Sequence, residues 1–466
     1  MLFLVALLSQ AQAGTLYFAD IGLRGYARAG AFIASNNDIT AQWYNPAALT
    51  RVEKGMFGVH LSVVEHYITF DREDFIEGGP LEDGEPTDLI YAPVENDSKI
   101  SWIPHGGIAY RFKDLTAFVG FTSPYADFIQ YPADGGQRYS LIESSVLQTF
   151  TGIALAYKVN SWLSLGGGAS WNMLEVKQSR NLSMYIKDTP AAETEDPKSD
   201  VLFSVDVRDN FSVAWNLAML AEPPSKKWAL GVMVQAPTHF NATGSISADF
   251  SDHFLHTDLG VIVDPSSSDE EVSMDVKMPL IVRSGFAYRP METLELELAF
   301  VWENWSSLEA LLIQDLDMNI KINALGSESE QVIEGPIELP TGYMDSYSIR
   351  LGGDWRIHPS FSLRTGVLWE SGGMPLHNIS AASLDQDKIG YGFGASYHLG
   401  DSLDIDLGVF QSFFGDFTID NSEVKRISAE IDLSDQSATL VEDRVVGNGE
   451  YSSSTLFFGA GAIYRF

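Results

Sequence analysis

Cysteine is absent from the 466-residue chain. Disulfide bonds, thiolate metal sites and cysteine nucleophiles are therefore excluded together. Basic residues are scarce as well, because 29 Lys and Arg stand against 63 Asp and Glu and give a formal net charge of -34. A chain of this charge repels the nucleic-acid backbone, so we expect no DNA or RNA partner. The 9 histidines form no pair at metal-ligand spacing, and we expect no metal ion and no cofactor.

Long hydrophobic runs are missing too. No apolar run approaches the roughly 18–20 residues that a membrane-spanning helix needs. The longest run, residues 2–8, is followed by a small-x-small pattern at residues 11–13, which predicts a secretion signal over residues 1–13 with cleavage before Gly14. The alternative interpretation is a short buried N-terminal strand. Export without cysteine is typical of the bacterial envelope, where an oxidising periplasm makes stray thiols a hazard.

Common catalytic motifs are also lacking. The sequence contains no G-x-S-x-G nucleophile elbow, no H-E-x-x-H pair and no phosphate-binding Walker loop. The glycines Gly390, Gly392 and Gly394 lack the spacing of a dinucleotide-binding loop. We therefore expect that the protein is not an enzyme, although a barrel lipase of the envelope needs no elbow and stays an alternative.

What the sequence does contain is period-2 hydrophobicity. Strands of this kind have one face for apolar surroundings and the other for water or a polar interior. The clearest examples are residues 349–357, 361–369, 389–399 and 403–409. Tryptophans near the strand ends are typical of the aromatic girdles of a membrane barrel. They are Trp162, Trp171, Trp228, Trp302, Trp305, Trp355 and Trp369.

Turn spacing indicates the number of strands. Short links alternate with long, acidic segments, which is typical of outer-membrane barrels with short periplasmic turns and long external loops. Six short and seven long links connect fourteen strands, so we predict an all-β fold, a 14-stranded antiparallel transmembrane β-barrel in the bacterial outer membrane. The short links are residues 113–114, 160–161, 222–227, 290–293, 358–360 and 400–402. The long segments are residues 71–99, 124–145, 176–205, 243–271, 307–340, 372–386 and 416–452.

The start of the mature chain breaks this pattern. Residues 14–53 are rich in glycine and alanine and do not alternate cleanly, and small side chains allow compact packing in a confined space. A fourteen-stranded lumen would otherwise be an open channel. We therefore predict an N-terminal hatch, or plug, at residues 14–53 inside a barrel formed by residues 54–466. The last strand ends on the aromatic Phe466, like the signal for barrel assembly, so assembly machinery and outer-membrane lipid are expected partners.

The sequence resembles the FadL-type family of outer-membrane transporters for long-chain fatty acids and other hydrophobic compounds. The resemblance begins at Gly25-x-Ala27-x-Ala29-Gly30 and passes through Asp38 to Asn45-Pro46-Ala47. It covers nearly the whole mature chain, and it continues at residues 120–124, 138–139, 156–159, 163–167, 231–237, 279–289, 302–306 and 391–399. Ala48 departs from the family pattern, in which glycine is commoner at this place, and the loops are unusually acidic.

The resemblance implies a hatched barrel that takes up its ligand passively through an apolar internal pocket. It also implies a lateral route into the membrane at a kink in the third strand, here residues 116–123, where Gly120 and Pro124 permit a kink. Asn45 would take part in gating, or would only cap its turn. The candidate hatch and gating residues are Gly25, Asp38, Asn45, Pro46 and Ala47.

A fatty-acid ligand would need a basic anchor for its carboxylate inside the barrel. The inward alternation nominates four arginines, each of which could instead pair with an inward acid such as Asp354, Asp404 or Asp406. The four are Arg283, Arg350, Arg356 and Arg364.

We therefore expect passive uptake of a hydrophobic small molecule, a long-chain fatty acid or a similar lipophile. Burial is worth about 0.8 kcal/mol per methylene, so a long acyl chain alone supplies ample affinity for an apolar pocket. The alternatives are an uptake channel for aromatic hydrocarbons, a general polar porin with an unplugged lumen, and a structural adhesin.

Overall fold

The fold consists almost wholly of β-strands. The computed structural model describes residues 20–75, 89–97, 100–189, 195–257, 262–263, 270–314, 317–324, 327–334, 337–340, 342–432 and 437–466. The predicted signal and the first residues of the predicted hatch lie outside the described residues, as does much of the acidic segment 71–99. In the described part of the chain, no helix is both long and apolar enough to cross a membrane.

The elements are numbered in chain order. The strands are β1 (Gly55–Arg72), β2 (Val94–Glu95), β3 (Ser101–Phe112), β4 (Leu115–Gln130), β5 (Glu143–Lys158), β6 (Leu163–Ile186), β7 (Asp200–Ala221), β8 (Trp228–Gln235), β9 (Thr238–Asp249), β10 (Ile262–Val263), β11 (Glu270–Met278), β12 (Ile281–Met291), β13 (Leu294–Glu303), β14 (Ala310–Gln314), β15 (Asp317–Ala324), β16 (Ser327–Glu334), β17 (Ile337–Pro340), β18 (Ser346–His358), β19 (Phe361–Glu370), β20 (Lys388–Leu399), β21 (Leu403–Ile419), β22 (Lys425–Asp432), β23 (Ser437–Val445) and β24 (Gly449–Arg465). The α-helices are α1 (Leu23–Ala27), α2 (Ala41–Tyr44) and α3 (Phe254–Thr257), and 3-10 helices lie at Pro46–Arg51, Pro197–Ser199, Trp305–Ser307 and Leu376–Asn378.

Fourteen strands form one closed ring of antiparallel neighbours, which confirms the predicted 14-stranded barrel. The ring closes because β24 pairs with β1 from Met56↔Arg465 to Arg72↔Gly449. The order around the ring is β1, β3, β4, β5, β6, β7, β8, β12, β13, β18, β19, β20, β21 and β24.

Each of the six predicted short links joins two consecutive strands of the ring. They connect β3 to β4, β5 to β6, β7 to β8, β12 to β13, β18 to β19 and β20 to β21. Two links are shorter than predicted, because β12 continues to Met291 and β18 continues to His358. These links share one end of the barrel, the short-turn end, and the opposite end is the long-loop end.

The outer wall of the barrel is apolar near the short-turn end. In β21 the exposed Ile405 and Leu407 alternate with the buried Asp404 and Asp406. An outward apolar surface with an inward polar one is typical of a membrane-spanning barrel. Trp305 does not belong to the predicted girdle, because it is buried and its indole Nε1 donates a hydrogen bond to Glu303.

The strands extend further toward the long-loop end than the sequence suggested. β6 continues to Ile186 and β7 begins at Asp200, so most of segment 176–205 is strand rather than link. The alternation of inward apolar and outward polar side chains persists there. Because the outward side chains are polar or charged, the composition of the segment is that of a loop. Beyond the ring, β9, β11, β14 and β17 extend the sheet, and β22 pairs in parallel with β6.

Residues 20–53, the N-terminal segment, lie inside the ring and contact opposite walls. On one side a Cβ at Gly366 would lie 2.2 Å from the backbone of Arg28, so only glycine lets the chain approach so closely. On the other side a Cβ at Gly166 would lie 2.4 Å from the backbone nitrogen of Ala47. The described residues therefore include a compact insert within the barrel, and the exact domain boundaries stay a prediction.

Candidate functional site

Apolar side chains line the long-loop half of the lumen. Buried valine or phenylalanine occupies every second position of β7 from residue 201 to residue 207, and Leu182 and Met184 continue this surface on β6. The outward faces of the same strands are charged, since Lys177 and Asp206 form an exposed ion pair of 3.1 Å. In the short-turn half the outward face is apolar and the inward face is polar, so the two faces exchange polarity along the strands. Water therefore meets charged side chains outside, while the inward side chains form an apolar core in which Phe203 and Val205 share one cluster with Ile379.

A narrow cavity lies between the N-terminal segment and the wall. Trp43 and Ile39 of the segment face Phe118 and Phe150 across it, and the cavity volume is about 30 Å³. That volume holds roughly two water molecules. Ligand binding at this depth therefore needs the segment or the aromatic side chains to move.

Two of the four predicted arginines are paired with carboxylates. Arg350 is buried and contacts Asp20 of the N-terminal segment and Glu370 of β19. Arg364 is buried and contacts Asp354, one of the inward acids that the sequence offered as an alternative partner. Both cations are therefore neutralised by protein acids.

A third candidate, Arg356, lies at the short-turn mouth of the lumen, on the same face of β18 as Arg350. The pairing of β18 with β19 shifts register between Arg356 and His358, and the Arg356 side chain is exposed at the short-turn end. Its Nη2 donates a hydrogen bond to the carbonyl oxygen of Pro359. Arg356 therefore lies at the end of β18 beside a turn, and it does not line the narrow cavity.

The fourth candidate, Arg283, is buried without a carboxylate partner among the described residues. Its Nη1 donates to Oε1 of Gln235 at 3.2 Å, and its guanidinium lies 4.8 Å from the ring centroid of Trp43. Neither Nε nor Nη2 has a hydrogen-bond partner in the described part of the chain. Both Gln235 and Trp43 line the narrow cavity, so a cation with two unbonded nitrogens and no direct ion pair among the described residues stands at its edge.

The predicted hatch residues hold the N-terminal segment in shape. Oδ1 of Asn45 accepts the backbone N–H of Ala47, and Pro46 occupies the first position of the 3-10 helix that follows. Asp38 accepts the backbone N–H of Thr40 at 2.7 Å. A Cβ at Gly25 would lie 2.2 Å from the hydroxyl of Tyr44, so glycine is required there.

The wall is interrupted between β3 and β4 beside the narrow cavity. The two strands pair from Phe112 only to Gly106, although β3 itself begins at Ser101. The pairing of β4 with β5 shifts register between Thr122 and Tyr125, around Pro124, which has no N–H for a sheet. Gly120 lies just before this irregularity, with a Cβ position only 2.6 Å from the carbonyl oxygen of Gly106.

Sequence reasoning missed several charged contacts between the N-terminal segment and the wall. Glu297 is fully buried, and its carboxylate accepts backbone N–H groups of Ile33, Ala34 and Ser35 at 2.7 to 3.0 Å. Arg28 lies 2.9 Å from Glu295. The signal was present, because the alternation in residues 294–298 places both glutamates on the inward face.

A second, polar cavity lies under the N-terminal segment at the short-turn end. Its volume is about 560 Å³, and charged side chains such as Arg24, Glu295 and Asp404 line it. An acyl chain would lose its hydrophobic gain in such surroundings.

Comparisons with known proteins give a consistent result. A sequence model of the family described as "Outer membrane protein transport protein (OMPP1/FadL/TodX)" matches residues 4–466. A long-chain fatty acid transport protein of Escherichia coli is 19% identical over 413 residues, which are 84% of this chain and 84% of that protein. Alkane uptake protein A of Marinobacter nauticus is 22% identical over 380 residues, 78% of this chain and 74% of that protein.

A solved structure shows the same fold. The crystal structure of a FadL homologue from Pseudomonas aeruginosa has a TM-score of 0.72 and 18% sequence identity, with 97% of this chain and 100% of that chain covered.

Proposed function

This chain belongs to the family of outer-membrane transport proteins that includes FadL and TodX, and we propose that it takes up long-chain carboxylates through the interior of its barrel. The named relatives include a transporter of long-chain fatty acids and an uptake protein for alkanes. The ligands in these two names differ in whether they carry a charged head group, and the proposal for this chain has to choose between them.

The observation that carries the proposal is the reversed polarity of β6 and β7. A polar porin would present polar side chains to its lumen, whereas the long-loop half of this lumen is apolar and its outer face is charged. Since each buried methylene contributes about 0.8 kcal/mol, a long chain gains strongly on leaving water for such a surface.

Arg283 supports a carboxylate rather than an uncharged hydrocarbon. A buried guanidinium without a counter-ion is unfavourable, and a ligand carboxylate accepting from Nε and Nη2 would neutralise it. In this proposal the head group lies at Arg283 beside Trp43 and the chain occupies the widened cavity.

In this proposal the ligand leaves the barrel sideways, through the interruption between β3 and β4, and enters the membrane. His105 and Thr122 line both that interruption and the narrow cavity, and the polar cavity at the short-turn end disfavours an acyl chain. The N-terminal segment acts as the hatch that keeps the lumen closed to other solutes. Outer-membrane lipid receives the ligand, and the barrel assembly machinery recognises the strand that ends at Phe466.

Binding of hexadecanoate to the purified, folded barrel tests the proposal. We expect wild type to bind hexadecanoate and Arg283→Gln to bind it about tenfold or more weakly, because a hydrogen bond to a charged group contributes about 1.5–3 kcal/mol. Affinity for hexadecane should change little. Arg356→Gln is the matched control, since that arginine is exposed at the short-turn end and does not line the narrow cavity.

Absence of hexadecanoate binding by wild type would contradict the proposed function as a whole. An equal effect of Arg283→Gln on hexadecanoate and hexadecane would remove Arg283 as the anchor. Mass spectrometry of lipids that copurify with the barrel gives a second measurement, and a preparation free of apolar ligand that conducts small ions freely would favour a porin.

A further inference from the structure

Residues 371–387, the inner loop, link β19 to β20, and the middle of this loop is buried in the lumen. Ile379 is fully buried and shares one cluster of apolar side chains with the inward Phe203 of β7. The hydroxyl of Tyr131, directly after β4, donates a hydrogen bond to the carbonyl oxygen of Ala381 at 3.3 Å. Because β4 lies far from β19 and β20 in the ring, the inner loop crosses the long-loop half of the lumen. A ligand that arrives from this end therefore has to displace the inner loop.

Five buried charged side chains connect the inner loop to the N-terminal segment, and we call them the ion-pair network. Oδ1 of Asp385, in the loop, lies 3.1 Å from Nζ of Lys388 at the start of β20. The same Nζ lies 2.9 Å from Oε1 of Glu370, whose Oε2 lies 3.2 Å from Nη2 of Arg350. Nη1 of Arg350 contacts Oδ1 of Asp20 in the N-terminal segment. Each of the five side chains is at most 8% exposed, so the network is continuous and shielded from water.

Each end of the ion-pair network is fixed to the part of the chain in which it lies. Oδ2 of Asp385 accepts the backbone N–H of Gly373 at 2.6 Å, across the base of the inner loop. At the other end, a Cβ at Gly30 would overlap both Asp20 and the guanidinium of Arg350, so this turn of the N-terminal segment covers the ion pair. A displacement of the inner loop or of the N-terminal segment therefore moves one end of the network.

Charges of opposite sign alternate along the network, and each inner member is shared between two partners. A buried charge that loses one partner interacts more strongly with the other, because water does not compensate it. When Asp385 leaves with an opening loop, Lys388 interacts more strongly with Glu370. Glu370 then holds Arg350 less strongly, and Arg350 interacts more strongly with Asp20. Opening of the inner loop therefore strengthens the contact that holds the N-terminal segment.

We propose that the inner loop is an outer gate of the lumen, and that the ion-pair network couples it negatively to the N-terminal segment, so that the two do not open together. This inference goes beyond the proposed function and rests on it only for the role of the N-terminal segment as the hatch. A ligand enters past the inner loop while the segment is held, and small solutes always meet one closed barrier. Since coupling of this kind is reciprocal, displacement of the segment strengthens the contacts that hold the inner loop.

Amide hydrogen exchange of the full-length, folded barrel tests the coupling, because mass spectrometry of its peptides reports local opening in both regions at once. We expect Asp385→Asn to speed exchange about fivefold or more in the inner loop and to slow it about fivefold in residues 20–35. Asp387→Asn is the matched control. Asp387 belongs to the same loop, but its side chain is exposed and its carboxylate accepts only the backbone N–H of Gly372 among the described residues. That variant should leave exchange in both regions within about twofold of wild type.

Two further variants separate coupling from a local loss of structure. In a Glu370→Gln background, where the network is cut in the middle, Asp385→Asn should still speed exchange in the inner loop but no longer slow it in residues 20–35. Asp20→Asn cuts the other end and should give the reciprocal result, with faster exchange in the segment and slower exchange in the inner loop.

Faster exchange in both regions of the Asp385→Asn and Asp20→Asn variants would show a purely structural network and overturn the inference. So would unchanged exchange in residues 20–35 of the Asp385→Asn variant, or an equal slowing in the Glu370→Gln background. No ligand is added in this experiment, so its failure is distinct from a failure of wild type to bind hexadecanoate, which would contradict the proposed function.

Discussion

Arg24 joins helix α1 to the barrel wall through buried charges. Its Nη2 lies 2.6 Å from Oδ2 of Asp404 and its Nε lies 2.9 Å from Oδ2 of Asp406. All three side chains are nearly inaccessible to solvent. Such a pair contributes little net stability against an apolar replacement, but removal of Arg24 leaves Asp406 with only Arg364, at 3.8 Å, as a cationic partner among the described residues. Arg24 therefore determines where the N-terminal segment sits more than how strongly the whole protein is folded.

Replacement of Arg24 by methionine should loosen the N-terminal segment. Two buried carboxylates lose their main counter-charge, and breaking a buried pair costs about 3–5 kcal/mol. We expect a lower thermal unfolding temperature and a raised small-ion conductance in planar bilayers. The triple variant Arg24→Met, Asp404→Asn, Asp406→Asn removes the uncompensated charges and should recover part of the stability. A single variant as stable and as tight as wild type would contradict this role.

The sequence predicts whether a side chain points into the barrel better than it predicts which residue that side chain contacts. Alternation correctly placed Arg283, Arg350 and Arg364 on inward faces, because a period of 2 needs no knowledge of neighbouring strands. It could not tell that Arg350 meets Asp20, which is 330 positions away in sequence. It could not tell that Arg356, which pairs with the inward Ser362, is exposed at the short-turn mouth of the lumen.

β4 is the element on which the proposed lateral release depends. Pro124 interrupts its pairing with β5, and its pairing with β3 stops at Phe121. Across the gap, Nδ1 of His105 and Oγ1 of Thr122 form a side-chain hydrogen bond where main-chain pairing is missing. A single side-chain bond is much easier to break than a ladder of main-chain bonds, so this part of the wall should open at a lower cost than a continuously paired one.

A covalent link across the gap should stop release without preventing binding. Because the chain has no cysteine, the pair His105→Cys and Thr122→Cys can be joined by a short bis-thiol reagent or a disulfide. We expect hexadecanoate uptake by cells that lack their own transporter to fall on linking and to return on reduction. The control pair is Ile108→Cys and Val119→Cys, which face each other in the intact ladder. Equal uptake in the linked and reduced forms would exclude this route.

The strands at the long-loop end show why composition alone misplaced their ends. Segment 176–205 is rich in charged residues, and charge together with length is typical of a loop. Outward positions carry polar or charged side chains, as Lys177 and the adjoining Asp206 show, while Val201 and Phe203 keep the inward period and Arg180 is an inward exception. The decisive observation is that the polarity of the two faces reverses once the strands leave the membrane.

On the scale of the whole molecule, positive charge from the chain's beginning balances negative charge from the wall. Arg24 and Arg28 contact wall carboxylates, and Arg51 lies 3.0 Å from Glu222. The ring of strands and its order followed from periodicity and turn spacing, since both are local properties of the sequence. The charge balance between insert and wall could not be predicted, because it joins residues that only the closed ring brings together.

Deletion of residues 14–51 tests this balance and the hatch together. The ring closes through β1 and β24 without the deleted residues, so we expect a folded barrel with a much larger conductance. Without its three arginines, the carboxylates Asp404, Asp406, Glu295 and Glu222 would face an aqueous lumen, and the reversal potential in a salt gradient should show preference for cations. A deletion variant that carries Asp404→Asn and Asp406→Asn should lose part of that preference at similar conductance. Wild-type conductance in the deletion variant would show that another part of the chain closes the lumen, and an anion preference would contradict the charge balance.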